Sequence, residues 1–259
     1  MVNKINRLIL FSFILVGLAA CGGSKKRGFE RNPVDDMIRD MTAEPTFSII
    51  LYDMDVVGNF VKSYQHKYRI ITQGQDSIPE ATTTDWMEVP EEFFFAHEND
   101  MGMEIASKSA DGTVSKTASP AGFTNYVGNP QYGHWVERDG NRFWEYYGKY
   151  RLLSDIFFYP RPIYYSGYND YYTTYRGRRP YYGGVTSSGN PRFGTNSDHM
   201  RQSRPNFFQR RQSKNGFQRS TVSRSSRSSS SSSRSRTSRS SSRYSGSSSS
   251  RSRGGGFGK

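Results

Sequence analysis

The chain contains one cysteine, Cys21. Without a second thiol there is no intrachain disulfide and no cysteine-based zinc site, so stability must come from burial. Long apolar runs are scarce too. The longest, Leu8–Val16 (LILFSFILV), is interrupted by Ser12. Even counted to Ala20 it falls short of the roughly 20 residues that a spanning helix needs. From Pro160 onward acids nearly disappear: Asp170 and Asp198 stand against 20 Lys and Arg, a net +18. After Ser220 the only aliphatic residue is Val222. Such a composition cannot bury enough apolar surface to offset chain entropy, which predicts disorder. Phosphate-cradling loops are missing as well, because Gly183-Gly184 and Gly254–Gly256 precede no helix.

What is present divides by charge. The whole chain is +13, which leaves −5 on residues 1–159 and −7 once Lys4 and Arg7 are discounted. An acidic body therefore carries a strongly basic tail, an asymmetry hidden in the overall pI. The expected organisation is a signal peptide (1–20), a lipidated N-terminus and tether (21–29), an α+β domain (30–160), a Tyr/Arg/Gly-rich linker (161–185) and a disordered basic Ser/Arg-rich tail (186–259). The tail can also fold back on the acidic body and screen it.

Lys4 and Arg7, the apolar run and the small residues Ala19-Ala20 before Cys21 make a secretory signal peptide. Leu-Ala-Ala-Cys resembles the lipobox of bacterial lipoproteins at all four positions. That resemblance implies diacylation of the Cys21 thiol, cleavage before it and acylation of the new amino group. Each buried methylene contributes about 0.8 kcal/mol, so two or more chains anchor stably. Gly22 stands where enterobacterial lipoproteins kept at the inner membrane carry aspartate. The resemblance thus implies the outer membrane, on its periplasmic face.

Within the body, Asn32-Pro33 reads as a helix start, with Asp35 and Asp36 favouring the positive end of the dipole. Val34, Met37, Ile38 and Met41 share one face, and Pro45 stops the helix. Phe47–Val57 reads as a strand, Gly58-Asn59 as a turn and Phe60–Thr72 as the returning strand. Trp86–Val89, Phe93–His97, Met101–Ser107 and Thr113–Thr117 read as further strands, with Asp111-Gly112 as a hairpin turn. Trp135–Glu137 reads as a strand. Phe143, Tyr147, Tyr150, Leu153 and Phe157 recur at helical spacing, predicting a helix over Phe143–Phe158. The class is α+β: a small antiparallel-sheet domain with one or two helices, followed by the tail.

Three segments carry a second resemblance: Gly128–Trp135 (Gly-Asn-Pro-x-Tyr-Gly-x-Trp), Phe143–Tyr150 (Phe-Trp-x-x-Tyr-Gly-x-Tyr) and Arg253–Lys259 closing on Gly-Phe-Gly. They resemble uncharacterised bacterial lipoproteins with a basic serine-rich end. No activity comes with the likeness.

Candidate site residues fall in two groups. Tyr132, His134, Trp135, Trp144 and Tyr147 can form an aromatic platform for sugar, or simply a core. Arg176, Arg178 and Arg179 lie in a Tyr/Arg/Gly stretch suited to cation–π and stacking contacts. His134 with Glu137 and Asp139 can serve acid–base chemistry on glycan, where two carboxylates flank the sugar; no nucleophile signature accompanies them. His97-Glu98-x-Asp100 can supply metal ligands or be a plain polar turn. His66 lies mid-strand. No cofactor or metal is expected.

The function expected is that of a membrane-anchored, non-enzymatic interaction or structural protein of the cell envelope. Its flexible polycation binds polyanions by counterion release, with strong salt dependence. Outside the cytoplasm these are lipopolysaccharide, anionic lipids and acidic glycans, or an acidic protein; nucleic acid is not the expected partner. The alternative is a glycan-binding or glycan-hydrolysing lipoprotein.

Overall fold

The computed structural model describes residues 31–59, 61–74, 78–157 and 162–217. The expected signal peptide, Cys21, the expected tether and everything from residue 218 onward lie outside the described residues. None of the described helices is long and apolar enough to cross a membrane.

The fold is α+β around an antiparallel sheet. Helix α1 (Pro33–Asp40) starts as its sequence dictates: Asn32 caps it, its side chain accepting from the Asp35 N–H at 3.0 Å. Strands β1 (Phe47–Val57) and β2 (Ser63–Gln73) form a long hairpin, pairing from Phe47↔Thr72 to Val57↔Ser63 with one irregularity between Leu51 and Asp53. Five consecutive buried residues, Phe47–Leu51, mark β1 as covered on both faces. Beyond β2 lie β3 (Pro79–Thr83) and β4 (Met87–Val89), each pairing with a different part of it. On the other side β1 pairs with β5 (Met103–Lys108), which also carries β6 (Val114–Ser115) and β7 (Ser119–Pro120).

Side-chain alternation gives the sheet a core on each face. Phe47, Ile49 and Leu51 join Tyr64, Tyr68 and Phe94 in one. Ile50 and Ile71 face the other, with Tyr126, Tyr132, Tyr150 and Phe157. The first core is roofed by α1 and by α2 (Glu91–Ala96), whose Phe94 is fully buried. This corrects the strand expected at Phe93–His97. Pro90 precedes two glutamates at the positive helix end, and so short an apolar run carries no period of its own.

A separate hairpin follows, β8 (Gly133–Arg138) and β9 (Asn141–Tyr146). Asp139 and Gly140 both take positive φ, 52° and 72°, the two-residue turn that suits strand twist. This turn overrides the helix expected over Phe143–Phe158. Pairing with β8 holds Phe143–Tyr146 extended. The chain then makes a single 3₁₀ turn, Gly148–Tyr150, and only Leu152–Ile156 (α3) is helical.

The largest correction concerns residues 162–217, expected as linker and tail. They fold against the body: α4 (Tyr165–Asp170) runs into a π turn (Tyr171–Tyr175), and α5 (Asp198–Ser203) and α6 (Pro205–Ser213) follow. Tyr171, Tyr181, Met200, Phe207 and Phe217 are all buried. Aliphatics are few here, but each aromatic ring buries roughly 150–250 Å², so a handful suffice.

Candidate functional site

Cross-strand pairing sets Trp135 opposite Trp144, with ring centroids 5.1 Å apart. Trp135 also packs edge-on against Tyr165 at 5.0 Å and against Tyr168 at 5.4 Å. Trp144 belongs to a third core with Phe123, Ile163, Tyr171 and Tyr181. These two tryptophans thus hold α4 to the hairpin and do not form an open platform. His134 and Tyr147 do remain exposed, stacked on each other at 5.3 Å and 20°.

The acid–base trio is not brought together. Strand alternation sends His134 and Glu137 to opposite faces of β8, and Asp139 sits in the turn. All three are exposed, and none lines either of the two cavities described below. Among the described residues no group of three His, Cys, Asp or Glu could hold a metal ion. His97 instead bonds Asp100 through Nδ1 at 2.8 Å, and the Tyr182 hydroxyl donates to the same carboxylate at 2.6 Å. Burial and this carboxylate push the Tyr182 hydroxyl up. Thr195 adds to the tie, accepting from the Met101 N–H and donating to the Glu98 carbonyl. The polar turn at 97–100 therefore fastens residues 182–195 to the body.

Tyr132 and Arg176, 44 positions apart, meet at one polar cavity of about 330 Å³. Asp111, Asn129, Gln131 and Tyr168 also line it. The Gly-Asn-Pro motif builds its rim. Gly128 has φ +78°, and a Cβ there would come within 2.5 Å of the Tyr168 hydroxyl. The Asn129 side chain donates to the Asn125 carbonyl and accepts from the Gln131 N–H, which fixes the loop. Beneath the cavity Thr124 donates to the buried Glu104, which also accepts from Ser119 and from the Gly122 N–H. Burial pushes the Glu104 carboxyl up, against the downward pull of these donors.

Beside this cavity the Tyr/Arg segment forms a surface ladder. Arg176 lies over Tyr172 at 5.0 Å and Arg179 over Tyr175 at 4.3 Å. Arg178 and Arg179 are exposed. Both cation–π pairs join residues four positions apart where the π turn ends at Tyr175.

Fold-back of basic residues onto acidic ones is realised at α6. Arg210 pairs with Asp53 at 2.8 Å and Asp55 at 3.4 Å, and Lys214 reaches Asp55 at 2.6 Å. Asp53 and Asp55 fall on the outer end of β1, so their partners are a gift of tertiary structure. A second cavity, about 600 Å³, was not foreseen from the sequence. It lies where residues 181–200 close over Phe123 and Ile163. Its lining residues come from stretches up to a hundred positions apart, and no motif marks them.

No family model, curated protein or solved structure matches this chain.

Proposed function

We propose that this chain is a lipid-anchored envelope protein without catalytic activity, held through Cys21 at the periplasmic face of the outer membrane, whose basic C-terminal segment engages polyanions. The observation that carries the reading is how its charges are spent. Arg210 and Lys214 are already paired with Asp53 and Asp55. Residues 219–259 add ten further cations and no acid. The stretch contains no acidic residue of its own to offset that charge. Lipopolysaccharide phosphates, anionic headgroups, acidic glycans or an acidic protein would release counterions on meeting it. The exposed Arg178 and Arg179 offer a smaller cationic group on the folded part.

The test is deletion of residues 218–259. Cutting at Pro160 would remove Tyr171, Phe207 and Phe217 from the cores and confound binding with unfolding. With the leader removed and Cys21→Ser in both forms, so that no acyl chain inserts, the chain that keeps residues 218–259 should bind vesicles containing anionic lipid or lipopolysaccharide at low salt. Its affinity should fall steeply as salt rises, because binding releases counterions. The deletion variant should lose most of that binding. Equal binding by both forms refutes the reading.

A further inference from the structure

We propose that the cavity of about 600 Å³ is a binding site for a neutral saccharide of about two rings. Its size lies within the roughly 300–1,000 Å³ of small-molecule sites. One wall is aromatic. Tyr164, 37% exposed, and the half-buried Phe193 present ring surface there, while the buried Phe123 and Tyr181 back Phe193 at 5.6 and 6.4 Å. The remainder is polar: Asp170, Arg192, Asp198 and His199 line it, with hydroxyls from Thr186 and Ser187.

The walls are pre-organised. The loop that carries Arg192 and Phe193 is closed by backbone bonds from Arg192 N–H to the Gly184 carbonyl and from Phe193 N–H to the Tyr182 carbonyl. Asp198 is oriented by Thr186 at 3.2 Å and by Asn190 at 2.6 Å. The Tyr181 hydroxyl is pinned to the Gly167 carbonyl at 2.9 Å. Gly183 has φ +75°, and a Cβ there would press to 2.5 Å from the Phe193 ring. A side chain at this position would displace the aromatic wall.

The lining decides the ligand class. A lipid tail needs continuous apolar surface, which two carboxylates, a guanidinium and an imidazole interrupt. A phosphorylated ligand needs an excess of cations. Yet the only two acids after position 160 both line this cavity, against the single guanidinium of Arg192. An extended peptide needs an open strand edge, and none of the named sheet strands supplies lining residues beyond their ends. A neutral sugar presents apolar ring faces to aromatic side chains and a rim of hydroxyls to carboxylate and guanidinium groups. That pattern is the one the cavity offers. The inference is independent of polyanion binding, since it concerns a different part of the surface and an uncharged ligand.

The experiment uses the full chain in a detergent without a sugar headgroup. Saturation-transfer NMR and thermal shift are run with cellobiose, maltose and N,N′-diacetylchitobiose at up to about 10 mM. At least one should receive saturation and raise the melting temperature. Arg192→Ala and Ser187→Trp both change exposed lining positions, so the fold is kept. Arg192→Ala should weaken binding about tenfold, the loss of roughly one charge-assisted hydrogen bond. Ser187→Trp should block it. With glucose 6-phosphate and chitobiose run alongside as charged controls, the proposal is overturned if no neutral disaccharide binds, if both variants bind as the parent does, or if either charged control is preferred over every neutral probe.

Discussion

Replacing Phe207 by alanine asks what holds residues 198–217 to the body. Phe207 is 1% exposed, with the rings of Phe208 and Phe217 at 5.0 and 5.7 Å, and it shares the main core with Phe94. Burial of such a ring contributes roughly 1.5–3 kcal/mol. Aromatic pairing adds about 0.5–1.5 kcal/mol. With the cavity left behind, Phe207→Ala should cost about 3–5 kcal/mol. The competing attachment is electrostatic. Arg210 and Lys214 remain about a third exposed, and pairs of that kind contribute about 0–1 kcal/mol each. Burial therefore wins, and two results should follow in urea unfolding of the full chain. Phe207→Ala should lower the midpoint strongly, whereas raising salt to about 1 M, where screening acts within roughly 3 Å, should leave the parent nearly unchanged. A loss below about 0.5 kcal/mol, the size of an ordinary surface change, would refute the reasoning. So would release of residues 198–217 by salt, read from hydrogen exchange.

Two buried ionisable groups give opposite pH dependences. His66 is fully buried, and burial, helped by His97, lowers its pKa to about 3. The unfolded chain then binds the proton first, so stability present above the unfolded value near 6.5 should fall away as pH drops toward 3. In His66→Phe that acid limb should flatten; an unchanged slope from pH 7 to 4 in denaturant titrations would show that His66 does not govern it. Glu104 is shifted upward by burial, so its neutral form is the one favoured in the fold. Its contribution is complete below the ordinary carboxyl value and is lost as pH rises through the folded value. Glu104→Gln keeps an acceptor for the Gly122 N–H and should be the more stable form at pH 8, with the difference closing near pH 4. If the gap widens on acidification instead, the carboxyl is ionised in the fold.

Much of the sheet was legible. Alternation placed β1, and Gly58 marked its end although β2 starts only at Ser63; Asn32-Pro33 placed α1, and Asp139-Gly140 placed the β8–β9 turn. Each is a local rule, satisfied within a few residues. The helix expected at Phe143–Phe158 shows where local reading stops. Its apolar spacing fits a helix, but the partner strand a few residues earlier supplies hydrogen bonds that a spacing argument cannot count. Phe93–His97 fails the other way, because the four-residue apolar run Phe93–Ala96 is too short to show a period. Of the candidate site residues, Tyr132 and Arg176 converge on one cavity, while Trp135 and Trp144 are spent on packing.

Composition and order along the chain determined the acidic-to-basic division, the α+β class and the position of the lone thiol, since these depend only on what residues are present and on their near neighbours. Tertiary structure alone decided that the Tyr/Arg stretch and the first part of the basic region are folded. Aromatic rings at 171, 181, 207 and 217 are too far apart to signal an element, and they become a core only when the body presents Phe94 and Phe123 to receive them. The same long-range closure created the larger cavity, whose lining no stretch of sequence contains on its own.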